Sequence, residues 1–138
     1  MKVTLVRTEG AQFLAQNEAG RSTVISGADE VGPSSEGIRP MENVLASLAG
    51  CSAVDVMLIL QRGRHTVDAL KVTMDAERAD AIPAVFTKIH IHFEVGGDFD
   101  LKKLQRAVDL SMEKYCSVAR MLSATVEIVH SCSMPAAA

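Results

Sequence analysis

The sequence predicts an α+β fold, with strands grouped rather than alternating with helices. Three observations carry this expectation. Short apolar/polar alternations cluster at the N-terminus and again in the second half of the chain. One break-free apolar stretch occupies residues 40–61. One amphipathic stretch follows Asp100. The 138 residues suit a single domain, expected over residues 1–131 with a flexible tail over 132–138. With 48% hydrophobic residues, the chain can bury enough surface to offset its conformational entropy, which excludes a disordered chain. One Tyr, four Phe and no Trp leave the core to aliphatic side chains.

Taken in order, Val3 and Leu5, then Phe13 and Ala15, then Val24 and Ile25 fall in short runs separated by Glu9-Gly10 and Glu18-Ala19-Gly20. They read as two or three antiparallel strands joined by tight turns. The stretch Ser26 to Pro40 carries Gly27, Gly32, Gly37, Pro33 and Pro40. It reads as a long loop, and loops of that length in a small domain are usually functional. Pro40 stands where a first helical residue belongs, and Glu42 suits the positive end of the helix dipole. Val44, Leu45, Leu48, Ala49, Val54, Val56, Met57, Ile59 and Leu60 cover nearly every direction around that helix axis, the mark of a helix buried on all sides. Its centre, Ala46 to Ala53, is almost entirely small, so a second backbone can approach closely. A chain this short can hardly wrap such a helix alone, and a partner subunit is expected to complete its burial.

Arg62-Gly63-Arg64 ends the helix. Alternation at Leu70, Val72 and Met74, and at Val85, Ile89, Ile91, Phe93 and Val95, gives two long strands joined around Ala81-Ile82-Pro83. Asp100 caps a second helix with Leu101, Leu104, Val108, Met112 and Tyr115 at helical spacing. A short helix over Val118 to Leu122 and a last strand over Ala124 to His130 complete the order βββ–α–ββ–α–α–β.

The charge balance excludes several partner classes. Fourteen Lys and Arg stand against 17 Asp and Glu, a formal net charge of -3, and the basic residues do not cluster. A phosphate backbone asks for the opposite. Aromatic platforms for single strands are missing too. Met1 to Arg7 lacks the apolar run of a signal peptide, and Ser47, Ser52 and Asp55 interrupt the apolar stretch, so no membrane association is expected. Three cysteines, Cys51, Cys116 and Cys132, form no disulfide framework. A reducing, cytoplasmic setting is the expectation.

Two of these cysteines are candidates for chemistry. Cys51 lies in mid-helix, where a buried cysteine commonly serves as a small hydrophobe. Cys116 sits at the corner before the short helix, where packing is again the plain reading. Ser117 could cap that helix and place Cys116 beside amide donors, a setting that lowers a thiol pKa. Arg120 follows one turn later, where it could hold a thiolate or a substrate oxygen. Cys132, in a Ser/Pro/Ala tail, reads as exposed and incidental. His65, His90, His92 and His130 offer a metal alternative, with His90 and His92 on one strand face and His130 and Cys132 on another. No CxxC or HExxH spacing supports it, so neither a metal nor a cofactor is expected. Nucleotide-binding and serine-hydrolase motifs are also missing.

The segment Arg39-Pro40-Met41-Glu42-Asn43-Val44-Leu45-Ala46-Ser47-Leu48-Ala49-Gly50-Cys51-Ser52-Ala53-Val54-Asp55-Val56 resembles the first cysteine motif of the OsmC/Ohr superfamily, and Lys114-Tyr115-Cys116-Ser117-Val118-Ala119 resembles its second. The resemblance covers nearly the whole chain. It implies an OsmC-like fold of antiparallel sheets packed around long buried central helices in an intertwined homodimer. It also implies thiol-dependent reduction of hydroperoxides, with Cys51 as the peroxidatic and Cys116 as the resolving cysteine, regenerated by an external dithiol. Glu42 and Arg21 are the candidate assisting residues, with Arg7 an alternative to Arg21.

One departure marks the chain as similar to a subgroup with Pro-Met-Glu and Cys-Ser-Ala-Val-Asp. The carboxylate that the family places directly after the helix-opening proline is Met41 here. At about 100° per residue, Glu42 lies about 180° round the helix from Cys51, and Met41 about 80°. Asp55, one turn after Cys51, reads as a buried hydrogen-bonding residue, because a nearby carboxylate alone would raise the thiol pKa. The alternative function is a non-catalytic dimer of the same fold that binds a small apolar ligand at its interface.

Overall fold

The structure, a computed structural model, describes residues 1–32 and 36–136. Pro33, Ser34 and Ser35 of the glycine-rich loop and Ala137 and Ala138 of the tail lie outside the described residues. The chain divides into two compact units, Met1–Ala46 and Ser47–Ala138.

The first unit is a three-stranded antiparallel meander. Strands β1 (Val3–Glu9), β2 (Gln12–Asn17) and β3 (Ser22–Ser26) pair in sequence order, with Val6 opposite Leu14 and Phe13 opposite Ile25. Every residue of β1 is exposed, including the apolar Val3, Leu5 and Val6. The loop after β3 is tied back to the sheet. The Ser26 N–H donates to the Ile38 carbonyl at 3.0 Å, and the Gly37 N–H donates to Ser26 Oγ at 2.9 Å. Gly37 lies so close to β3 that an added Cβ would stand 2.6 Å from the Val24 carbonyl oxygen, which reserves the position for glycine. Helix α1 (Pro40–Arg62) then begins with proline at its first position, as expected. The Glu42 carboxylate accepts from the Arg39 backbone N–H at 2.9 Å, the reciprocal half of a capping box.

The second unit takes the remainder of α1 together with strands β4 (Val67–Arg78), β5 (Phe86–Gly97) and β6 (Glu127–Ser133) and helices α2 (Leu101–Leu110) and α3 (Ser117–Leu122). The β4–β5 pair is a long antiparallel hairpin, and β6 joins β5 in parallel, with Ile89 beside Ile128 and Phe93 beside Cys132. Parallel pairing needs a crossover, which α2 and α3 provide. Alternation along β5 buries Ile89, Ile91, Phe93 and Val95, and α2 adds Leu104, Ala107 and Val108 to the core. The Asp100 carboxylate caps α2 by accepting from the Lys103 N–H at 2.9 Å, as its sequence position implies.

Two expectations change. The last strand runs over Glu127–Ser133 rather than 124–130, so Cys132 and Ser133 belong to the sheet and not to a tail starting at residue 132. Ladder pairing with β5 holds these polar residues in place despite their composition. Helix α1 is also not buried on all sides within one chain. Its buried residues, Leu48, Ser52, Val56 and Leu60, recur every fourth position as a single stripe. Val54, Met57 and Leu58 stay exposed, at 57%, 36% and 43% of their surface. By length and composition alone α1 could cross a bilayer, with a mean hydropathy of 1.8 in its most apolar window. The core helix of a soluble protein meets the same criteria of length and composition.

Ile91 and Val85 test this packing. Ile91→Ala should cost about 3 kcal/mol in urea unfolding, because it opens a cavity at a fully buried position. Val85→Ala, at a half-exposed position, should stay within about 0.5 kcal/mol. Equal losses would contradict the core assignment.

Candidate functional site

Helix α1 places Cys51 and Asp55 four residues apart, so their side chains lie on the same face one turn apart. Cys116 arrives from a distant part of the sequence. After α2 the backbone widens into one π turn over Ser111–Tyr115, closed by the Cys116 N–H donating to the Ser111 carbonyl at 2.8 Å. Such turns are rare and frequently accompany functional sites. It follows that the second amphipathic helix expected up to Tyr115 ends as an α-helix at Leu110. The extra residue re-aims the chain, so that Cys116 leaves the helical path with extended backbone angles.

The consequence is a three-atom cluster. Cys51 Sγ, Cys116 Sγ and an Asp55 carboxylate oxygen lie within 4.8 Å of one another. Cys51 and Asp55 are half-buried, and Cys116 is 2% exposed. All three cysteines are free thiols. Ser111, fully buried, fastens the cluster to α1. Its hydroxyl donates to the Ser52 carbonyl at 3.1 Å and to Asp55 Oδ2 at 3.3 Å. Sequence reasoning missed Ser111. The signal was a lone hydroxyl on the apolar stripe of the second helix, next in register after Leu104 and Val108. Ser52 turns inward too, donating to the Leu48 carbonyl at 2.7 Å.

Electrostatics separate the two sulfurs. Burial pushes the Cys116 thiol from its ordinary 9.0 up to about 11, and its hydrogen bond to Cys51 and the charge that Cys51 carries when ionised push in the same direction. The Ala119 N–H, donating to Cys116 Sγ at 3.4 Å, opposes this without reversing it. Cys116 therefore favours its protonated form, and it can donate to the sulfur beside it. Cys116, and not Ser117, caps α3: its backbone is extended and its own sulfur accepts the Ala119 N–H, while Ser117 is the first helical residue. Arg120 is exposed.

The other sequence candidates belong elsewhere. Glu42, Arg21 and Arg7 lie in the first unit, each with local partners. Glu42 is exposed and engaged in the capping box. The exposed Arg21 closes the turn before β3, its N–H donating to Asn17 Oδ1 at 3.0 Å. Arg7 Nε donates to the Gly10 carbonyl at 2.8 Å. In the same unit, Arg39 Nη2 lies 3.5 Å from Asp29 Oδ1, and its Nη1 is buried without a hydrogen-bond partner among the described residues.

Cys132 is half-buried rather than exposed, donating to Gln105 Oε1 at 3.2 Å, and burial and then the Asp109 charge raise its pKa. The histidines divide as their strand positions imply. His90 and His92 share Ser131 Oγ, at 2.9 and 2.7 Å. His130 pairs with Asp109 at 2.8 Å on the face toward α2, and His65 lies 3.4 Å from Asp98. Asp109, Glu113 and His130 form a second cluster of possible ligands, with their atoms within 4.8 Å of one another.

Comparison with known proteins places the fold. Residues 32–131 match the family described as OsmC-like protein. Protein YhfA of Escherichia coli K12 is 44% identical over 99% of this chain and all of its own length. A solved structure described as a hypothetical protein from Aquifex aeolicus is 30% identical, with a TM-score of 0.79 over 97% of this chain and 96% of its own. A Legionella pneumophila structure described as an organic hydroperoxide resistance protein OsmC shares 12% identity and a TM-score of 0.70 over 96% of this chain and 97% of its own, a likeness of fold alone. With its paired cysteine motifs, its two sheets and its matched length, the chain belongs to the OsmC-like protein family.

Proposed function

We propose that the protein is a thiol-dependent peroxidase that reduces hydroperoxides, organic ones in preference, through Cys51 and Cys116. One observation carries the reading: two free thiols, 65 residues apart in sequence, stand with their sulfurs within 4.8 Å, one half-exposed and one buried with a raised pKa. Members of the same fold that are named for organic hydroperoxide resistance support the substrate class. The Cys51 thiolate attacks the terminal oxygen of the peroxide, and the O–O bond breaks to expel an alkoxide, which takes a proton from solvent and leaves as the alcohol. Cys51 is left as a sulfenic acid. The Cys116 sulfur then attacks the Cys51 sulfur, its proton and the sulfenic hydroxyl leaving as water, and the disulfide forms. An external dithiol of the cytoplasm reduces it back to two thiols. Asp55 and Ser111 hold the two sulfurs in register.

One equivalent of cumene hydroperoxide should give an intrachain Cys51–Cys116 bond in tryptic mass spectra, with Cys132 unbridged. Cys116→Ser should strand Cys51 as sulfenic acid and then overoxidise it. Turnover by Cys51→Ser at the parent rate would end the peroxidase reading. A non-catalytic dimer binding a small apolar ligand would then take its place.

The active form proposed is a two-fold homodimer joined through α1. The exposed Val54, Met57 and Leu58 on α1 and Val3, Leu5 and Val6 on β1 support it, as unpartnered apolar surface of this kind marks an interface. Gly50 offers a clean probe, because, beyond its own helix backbone and chain neighbours, an added Cβ there meets nothing within 4 Å among the described residues. Gly50→Leu should leave each chain folded by circular dichroism and abolish the dimer in analytical ultracentrifugation. A stable monomer of the parent protein at micromolar concentration would refute the dimer.

A further inference from the structure

We infer that the reduced Cys51–Asp55–Cys116 cluster binds a thiophilic divalent cation of the zinc type. The two sulfurs and one Asp55 oxygen are its protein ligands, and the fourth position is left to water. Zinc–sulfur bonds of about 2.3 Å and a zinc–oxygen bond of about 2.1 Å set tetrahedral ligands roughly 3.6 to 3.8 Å apart. The three ligand atoms already lie within 4.8 Å of one another, so side-chain rotations of about an ångström complete the site. The donors come from two rigid places, one face of α1 and the turn closed by the Cys116–Ser111 hydrogen bond.

The chemistry of the donor set selects the ion. Two thiolates and one carboxylate suit zinc, whereas magnesium and calcium ask for oxygen alone. An outer shell is also in place. Ser111 Oγ–H donates to Asp55 Oδ2, and the Ala119 N–H donates to Cys116 Sγ, the kind of support that orients metal ligands. The Asp109–Glu113–His130 cluster is the weaker candidate among the described residues. It has no sulfur, and Asp109 Oδ1 is already taken by His130 and Gln105.

Binding displaces the two thiol protons. It is open only to the reduced pair. In a step that rests on the peroxidase reading, two electrons from the two thiolates reduce a hydroperoxide to alcohol and water, with two protons taken from solvent. The new S–S bond removes both sulfur donors, and the cation leaves. Occupancy and turnover therefore exclude one another, which makes the cation an inhibitor that an oxidant expels.

The test is a titration of the reduced, metal-free full-length protein with Zn2+ against a chromophoric chelator, repeated with Co2+ to read thiolate-to-metal charge transfer. One ion per chain is expected, with a thiolate band. Asp55→Asn should weaken binding about tenfold or more, and Cys51→Ser or Cys116→Ser more than about a hundredfold. Cys132→Ser and His130→Gln should leave it unchanged. As a check on the unmutated protein, Zn2+ should slow iodoacetamide labelling of Cys51 and not of Cys132. Failure to compete with the chelator would overturn the site, as would a cobalt complex without the thiolate band, or loss of binding in His130→Gln instead of Cys51→Ser. The peroxidase assay is independent of this titration. Zinc binding without turnover removes only the peroxidase reading, and turnover without zinc binding removes only this one.

Discussion

The side chain of Ser111 is the contact on which the site depends. It is fully buried, and its hydroxyl reaches the Ser52 carbonyl and the Asp55 carboxylate on α1 while its own carbonyl receives the Cys116 N–H. A buried hydroxyl without partners costs a few kcal/mol, so these bonds fix the register between α1 and the π turn. The widening of that turn then decides where Cys116 points. With a plain α-helical turn the sulfur would rotate by roughly 100° with each residue of slip and leave Cys51 alone.

Burial and charge divide labour between the two sulfurs. Cys116 lies at the dry end of the cluster, where desolvation favours its neutral form, and Cys51 lies nearer solvent. One sulfur half-exposed and its neighbour buried is an asymmetry of the kind that the proposed stepwise oxidation needs. The same closeness that permits a disulfide also permits a shared cation. In the two proposals made above, redox and metal chemistry are competing states of that one pair of atoms.

The family membership fits this arrangement without fixing its substrate. The close relatives match along their full length, while the structures named for hydroperoxide resistance share the fold at low identity. In this chain the carboxylate clustered with the two sulfurs is Asp55, from the cysteine's own helix, and Glu42 caps that helix. Met41 occupies the position where the wider family resemblance implies an acid.

Much of the architecture was legible in the sequence because it rests on local rules. Alternation located five of the six strands closely, Pro40 and Asp100 marked the starts of their helices, and the two cysteine motifs were recognisable at their positions. What failed was non-local. Composition read Cys132 and Ser133 as tail, yet pairing with β5 makes them strand, since a ladder satisfies the backbone whatever the side chains are. The all-round apolar surface of α1 spoke of burial, but one chain covers only the stripe from Leu48 to Leu60. The π turn left no mark in the hydrophobic period, because a single extra residue shifts the phase only at a helix end. Sequence determined which residues could react. Only tertiary structure decided that Cys51, Asp55 and Cys116 meet, because contact across 65 residues is set by packing and by one buried hydroxyl rather than by spacing.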